Sequence, residues 1–194
     1  MGNKLSRIFE SVIQPPEVTQ SNRIIIYYQT LIDLSDLISL IKSRPPSKPL
    51  VTHITLASIH FGYNIETGVK PYIHLNDNDP KDAKFTKVYD QLRELKSLGV
   101  KINLLIGGAG LAFQMLFSNY DSFYPLLIQA VNYMDCIDGF NLDIEEGVSI
   151  PQMVTLIIDL KTDFPDKAIV FAPLGESIAT NDPGMGGFCY KELR

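Results

Sequence analysis

The sequence has only two cysteines among its 194 residues, Cys136 and Cys189. Two cysteines do not make the disulfide framework of a small secreted scaffold, so we expect free thiols, which are typical of a reducing compartment. The three histidines, His53, His60 and His74, lack zinc-ligand spacing relative to either cysteine. The sequence therefore predicts no metal site and no cofactor. With 45% hydrophobic residues it can bury the core of one domain.

Long apolar runs and basic clusters are also absent. No stretch of about 18 apolar residues occurs, so no transmembrane helix is predicted. The first residues lack the apolar centre of a secretory signal peptide. The net charge of −5, without a basic cluster, argues against binding to nucleic acid. These absences favour a cytoplasmic protein.

The chain begins with a short sequence that matches a lipidation signal. Residues Met1-Gly2-Asn3-Lys4-Leu5-Ser6 fit the N-myristoylation pattern M-G-x-x-x-[ST], and a chance match is the alternative. A single myristoyl chain on Gly2 would give only weak membrane contact. Residues 1–22, which include Pro15-Pro16, are predicted to form a polar tail or linker ahead of a domain that spans residues 23–194.

From residue 23 onward, strand-like and helix-like hydrophobic patterns alternate. The predicted strands span residues 23–29, 52–60, 101–106, 138–146 and 168–173. The predicted helices span residues 35–43, 82–98, 124–134 and 151–163, and a long loop spans residues 62–80. This alternation predicts parallel βαβ connections. A closed (β/α)₈ barrel needs about 200 to 250 residues, so we predict a barrel truncated to about five βα units. An independent open α/β sheet is the alternative.

The last residues of the fourth predicted strand carry the strongest chemical signal. Its side chains alternate with period two, so that one face is apolar and the other carries an amide and two acids. The apolar face consists of Phe140, Leu142 and Ile144. The polar face consists of Asn141, Asp143 and Glu145. Two carboxylates about 6.5–7 Å apart on a strand can raise each other's proton affinity, as general acid catalysis requires.

The same segment, Asp138 to Glu146, resembles the D-G-x-D-x-D-x-E signature of family 18 glycoside hydrolases, the chitinase and endo-β-N-acetylglucosaminidase family. Asn141 stands where the family usually has an aspartate. Leu105 stands where the family often has a serine, two residues before the pair Gly107-Gly108. The order of the strands also resembles the family. So do two further segments, Ile73-His74-Leu75-Asn76-Asp77 and Ala172-Pro173-Leu174, which are similar to a microbial branch.

The resemblance implies a role for each residue of the signature. In this family the N-acetyl group of the substrate acts as the nucleophile. Glu145 would be the general acid, held protonated by burial and a neighbouring carboxylate. Asp143 would orient the acetamido group, with Asp138 and Asn141 as supporting partners. The implied substrate is β-1,4-linked N-acetylglucosamine, in chitin or a related glycan. An inactive carbohydrate-binding or remnant protein is the alternative, because Asn141 breaks the signature.

Further residues are candidates for substrate binding. They are Tyr27, Gln29, Gly107 and Gly108, which lie at the ends of predicted strands, where barrel active sites form. A packed core tyrosine and a simple strand-to-loop turn are the structural alternatives. A divalent-metal cluster of Asp135, Asp138, Asp143 and Glu145 is disfavoured, since metal-dependent barrels draw ligands from several strands.

The predicted truncation has a consequence for association. Strands of a parallel barrel must pair at both edges, and an unpaired edge invites another chain. We therefore expect self-association or binding of a complementary polypeptide.

Overall fold

The computed structural model describes residues 22–44, 50–63, 70–180 and 182–193. Gly2 and nearly all of the predicted tail lie outside the described residues. Within them, no helix combines the length and the apolar character needed to cross a membrane.

The described residues form six strands and six α-helices. The strands are β1 (Ile25–Tyr28), β2 (His53–Tyr63), β3 (Pro71–Leu75), β4 (Lys101–Gly107), β5 (Gly139–Asp143) and β6 (Ala168–Phe171). The helices are α1 (Ser35–Lys42), α2 (Thr86–Ser97), α3 (Ala112–Ser118), α4 (Tyr120–Met134), α5 (Ile150–Asp163) and α6 (Gly175–Ala179). Two 3₁₀ turns, Ala83–Phe85 and Tyr190–Leu193, complete the structure. The predicted α/β class is confirmed.

Five of the strands form one parallel sheet in the order β1-β2-β4-β5-β6. Each strand therefore lies beside the next parallel strand along the chain, as in successive units of a β/α barrel. All five carboxyl ends meet at the same edge of the sheet. Asp143 and Glu145 lie at that edge.

The local sequence explains how the helices begin and end. Ser149 caps α5 through a reciprocal capping box with Gln152, and Pro151 occupies a favoured position in the first turn. After α2, Gly99 adopts a positive φ of 88°, which glycine tolerates and which turns the chain back into β4. These signals fix two of the crossovers that lead into and out of the parallel strands.

Two elements of the structure were not predicted. The predicted loop at residues 62–80 contains β3, which pairs antiparallel with an extended β2 and matches His60 with His74. The two imidazole rings stack with their centroids 5.5 Å apart. The second error is α3, which was not predicted. It follows a glycine-rich turn and an N-cap residue, Leu111, in the left-handed conformation, both of which are poor helix-start signals.

The core lies between the sheet and the helices. Strand β4 is buried from Ile102 to Gly107, as expected for a parallel strand covered on both faces. Helices α2, α4 and α5 supply buried side chains on one stripe each, including Leu92, Leu127 and Leu156. Cys136 is buried as a free thiol, and burial raises its pKa to about 11. The predicted free cysteines are confirmed.

Strand β1 exposes an apolar surface at one end of the sheet. Three consecutive isoleucines are 37% to 48% exposed, namely Ile24, Ile25 and Ile26. Within the described residues, β1 pairs only with β2, so its other edge presents open backbone hydrogen-bonding groups. An apolar edge strand of this kind is a template for pairing with another chain.

We predict that this edge makes the protein self-associate. Ile25→Lys should shift the molecular mass measured by size exclusion with light scattering toward the monomer, because a lysine blunts an edge strand. Leu40→Lys is the matched control, since Leu40 is equally exposed, at 46%, but lies on helix α1. A wild-type protein that stays monomeric across a concentration series would contradict the prediction.

Candidate active site

The end of β5 and the turn after it carry four polar residues. Asn141 and Asp143 lie in the strand, and Glu145 and Glu146 follow it. Asn141 and Glu146 are buried, Asp143 is half-buried and Glu145 is exposed. The predicted apolar face is confirmed by three buried residues, Phe140, Leu142 and Ile144. The strand therefore anchors itself in the core and presents acids at the sheet edge.

The glycine pair that ends β4 brings the backbone of this strand against β5. Gly107 and Gly108 have φ values of 98° and 84°, and the Gly108 amide donates to the Asp143 carbonyl oxygen at 2.8 Å. A Cβ on Gly107 would meet that oxygen at 2.3 Å and the Phe113 ring at 2.5 Å. Only glycine fits at position 107. The structure thus explains this glycine by strand packing, while sugar binding by the pair stays a prediction.

The position of Asp143 at the glycine turn affects the pKa of its carboxyl group. A Cβ on Gly108 would stand 3.6 Å from Asp143 Oδ2, so the carboxylate lies over the glycine turn. Burial raises the pKa of Asp143, and the charges of Glu145 and Glu146 raise it further. We expected Glu145 to be the buried acid. That expectation was wrong for the described residues, because Glu145 points into solvent and Asp143 is the group that burial affects.

Asn141 makes a contact that differs from the expected one. Its Nδ2 donates to the Tyr27 hydroxyl at 3.0 Å, a contact between β5 and β1. Its Oδ1 is buried with no hydrogen-bond partner in the described part of the chain, and the same holds for Thr55 Oγ1 on β2. This hydrogen bond places the Tyr27 hydroxyl beside the site residue Asn141. Gln29 is exposed, and its carbonyl oxygen accepts from Asn76 Nδ2 at 2.7 Å.

Asp138 lies at the opposite end of β5 from the other acids. Its Oδ2 accepts from the Ile102 amide at 2.9 Å, and its Oδ1 lies 3.1 Å from Lys96 Nζ. The predicted support of Asp143 by Asp138 is therefore wrong in its contacts, because this carboxylate ties the start of β5 to β4 and α2. The adjacent Gly139 is required by packing, since a Cβ there would stand 2.8 Å from the backbone carbonyl oxygen of Ala168.

Two residues near the acids were not expected to take part in the site. Glu146 Oε1 accepts from the Phe113 amide at 2.6 Å and so caps helix α3. Tyr190 packs its ring against Phe171 and has a pKa raised first by burial and then by Asp143. No local sequence pattern predicts either contact. Glu146 and Tyr190 meet the site only through the tertiary fold.

The acids of the metal-site alternative are dispersed. Asp135 pairs with Arg93 at 2.6 Å, and Asp138 lies at the far end of β5. In the ranges that the structure describes, no group of three or more histidine, cysteine or acidic residues comes together in a way that could hold a metal ion.

The fold is similar to that of solved glycoside hydrolases. Chitinase ChiC from Aspergillus fumigatus matches with a TM-score of 0.75 and 29% identity, over 89% of this chain and 62% of that chain. A fungal endo-β-N-acetylglucosaminidase from glycosyl hydrolase family 18 matches with a TM-score of 0.71 and 27% identity, over 89% and 61%. A GH18 chitinase from Pseudoalteromonas aurantia shares the fold at 18% identity and a TM-score of 0.61. No protein-family model and no curated protein matches the sequence.

These similarities define the class of fold, a parallel β/α sheet of the kind found in chitinase-like glycoside hydrolases. Within that class, the chain has a family 18-like fold, as the sequence resemblance predicted. The chain spans 62% and 61% of the length of the two most similar structures described here.

The glycine turn yields a stability prediction. Gly107→Ala should destabilise the protein by about 1–3 kcal/mol more than Gly99→Ala, because overpacking adds to the strain of a positive φ. Gly99 is the matched control, since its φ is 88° but a Cβ there would meet nothing within 4 Å. Urea unfolding of both variants measures the difference. Equal losses of unfolding free energy in the two variants would mean that the space between Gly107 and Asp143 accommodates a Cβ.

The raised pKa of Asp143 yields a second prediction. The folded state binds a proton at Asp143 more tightly than the unfolded state, so stability falls as the pH rises through the ordinary aspartate range and up to the raised pKa. Asp143→Asn should therefore raise the Tm at neutral pH, and this gain should vanish below about pH 3. The exposed Asp166→Asn is the control. A gain that is independent of pH would contradict the assignment.

Proposed function

We propose that the protein is a glycoside hydrolase that acts on β-1,4-linked N-acetylglucosamine, in chitin or a related glycan. The observation that carries the proposal is the cluster of Asp143 and Glu145 at the carboxyl end of β5, in a family 18-like fold. Barrel enzymes carry their chemistry at this edge of the sheet. The proposal also takes support from two similar structures, whose names describe a chitinase and an endo-β-N-acetylglucosaminidase.

The proposed reaction uses the substrate as its own nucleophile. The acetamido carbonyl oxygen attacks the anomeric carbon, while the proton of Glu145 passes to the departing glycosidic oxygen. The oxazolinium intermediate is then hydrolysed by water, which returns a proton to Glu145. Asp143 accepts a hydrogen bond from the acetamido N–H and balances the positive charge that develops. The exposure of Glu145 leaves its carboxyl open to a substrate that arrives from solvent.

The burial that a general acid needs is proposed to come from the bound glycan. A sugar that covers Glu145 would remove it from water and favour its protonated form. Tyr27, Gln29, Gly107 and Gly108 remain proposed binding residues for that glycan. Tyr27 is 52% exposed, so its ring keeps a face on which a sugar can stack.

An inactive carbohydrate-binding protein is the second candidate function. The specific observation in its favour is Asn141, a neutral and buried residue with an unpartnered Oδ1 where the family signature has an aspartate. An amide hydrogen-bonds but does not share charge with Asp143. In this case the site would hold a glycan without cleaving it.

The proposed partners follow from the same surfaces. A glycan that contains N-acetylglucosamine would occupy the edge near β5. A second copy or a complementary chain would cover β1. Weak membrane contact through an acylated Gly2 remains a further proposal, as does a cytoplasmic location.

We predict that Glu145→Gln abolishes hydrolysis of a fluorogenic chitobiose substrate and leaves the fold intact. Loss of a general acid costs roughly 10²–10⁴ in rate, and glutamine keeps the shape of the side chain. Glu94→Gln is the control, because Glu94 is an exposed acid that pairs with Lys42 on the helix layer.

Three outcomes separate the candidates. Hydrolysis that is lost only in Glu145→Gln supports the enzyme. Binding of chito-oligosaccharides by an inert wild type, measured by calorimetry, supports the binding protein. Wild-type turnover in Glu145→Gln removes Glu145 from the mechanism.

A further inference from the structure

Glu146 is a buried acid whose burial the proposed reaction does not explain. Its side chain is only 6% exposed, although it follows the exposed Glu145 directly. Oε1 accepts from the Phe113 amide at 2.6 Å and, more weakly, from the Gln114 amide at 3.4 Å. Oε2 is buried and has no hydrogen-bond partner among the described residues.

Burying the Glu146 carboxylate costs more free energy than the capping of helix α3 requires. A buried carboxylate with one unpartnered oxygen carries a desolvation penalty that a neutral side chain avoids. A glutamine would offer the same acceptor to the Phe113 amide without burying a charge. Capping therefore accounts for the oxygen that is bonded to Phe113. It does not account for the charge.

The contacts of Phe113 connect Glu146 to the site. The Phe113 ring packs on Gly107, where an added Cβ would meet it at 2.5 Å and would meet the Asp143 carbonyl oxygen at 2.3 Å. The next residue, Gly108, donates its amide to that same oxygen. A continuous series of contacts thus runs from Glu146 through Phe113 and the glycine turn to Asp143, at the end of β5.

In addition to burial, two neighbouring carboxylates raise the pKa of Asp143. The titratable groups that act on Asp143 within the described structure are Glu145 and Glu146, and Asp143 in turn acts on Tyr190 across the site. Glu145 is exposed to solvent, whereas Glu146 is held by two backbone amides. Of the two carboxylates beside Asp143, Glu146 is therefore the one that hydrogen bonds hold in position.

We propose that Glu146 is a positioning residue of this site, which clamps helix α3 and the glycine turn against Asp143 and keeps a fixed negative charge beside it. The inference rests on the glycosidase function proposed above and deepens it. Glu146 does not touch the substrate. It acts through Asp143, because a fixed neighbouring charge raises the proton affinity of Asp143, so that the carboxyl can share a proton with Glu145 before its carboxylate accepts from the acetamido N–H.

Two variants separate the charge from the clamp. Glu146→Gln keeps an acceptor for the Phe113 amide and removes the charge. Glu146→Asp keeps the charge but is one methylene too short to reach that amide. Glu176→Gln is the control, because Glu176 is an exposed acid on α6. The carboxyl carbon of Asp143 is followed by ¹³C NMR during a pH titration, and its pKa is read without any substrate.

The expected result is that the pKa of Asp143 falls in Glu146→Gln and stays raised in the control. In Glu146→Asp we expect kcat to fall by up to about 100-fold with KM little changed, because the clamp is lost and Asp143 shifts. In Glu146→Gln the acid limb of the pH–rate profile should move to lower pH. If Glu146→Gln does not fold, the fall of kcat in Glu146→Asp, with the control unchanged, still tests the clamp.

An Asp143 pKa that is unchanged in Glu146→Gln, or a kcat that is unchanged in Glu146→Asp, would overturn the proposal. A wild type that hydrolyses no chito-oligosaccharide would overturn the proposed function instead, since the titration of Asp143 needs no turnover. The two failures are therefore distinguishable.

Discussion

The hydrogen bond from the Gly108 amide to the Asp143 carbonyl oxygen is the constraint on which the site depends. It joins the carboxyl ends of β4 and β5 after the regular ladder has finished. Because Gly107 and Gly108 have no side chains, the backbones approach closely enough to make it. That approach half-buries Asp143 and leaves Glu145 at the rim. The electrostatics of the site follow from this packing and not from the acids alone.

The main elements of the fold were predictable because their signals are local. The period-two pattern of β5 predicted its buried face, and the alternation of elements predicted a parallel sheet. Strand β3 escaped prediction because it lies in a stretch rich in turn-forming residues, and its pairing with β2 is a tertiary event. Helix α3 carried only a short apolar signal, at Phe113, Leu116 and Phe117, behind a glycine-rich turn.

The composition of the site was predictable from its motif, but its internal contacts were not. The sequence places Asp138, Asn141, Asp143 and Glu145 in one segment, and a segment of about six residues spans the full height of a strand. Asp138 therefore lies at the far end of β5 and bonds to Ile102 instead of the other acids. The partners of the remaining acids come from distant parts of the chain, as when Glu146 meets the amide of Phe113. Periodicity does not report such contacts.

The hydrogen bond between Asn141 and Tyr27 has a consequence for the curvature of the sheet. Tyr27 is on β1 and Asn141 is on β5, and β2 and β4 lie between these strands. In a flat sheet three strand spacings would separate them by about 14 Å, with both side chains upright and parallel. A contact of 3.0 Å requires the sheet to curl so that its outer strands lean toward each other. The described strands therefore form a concave surface, and a ligand at Asp143 would lie in a hollow of that surface.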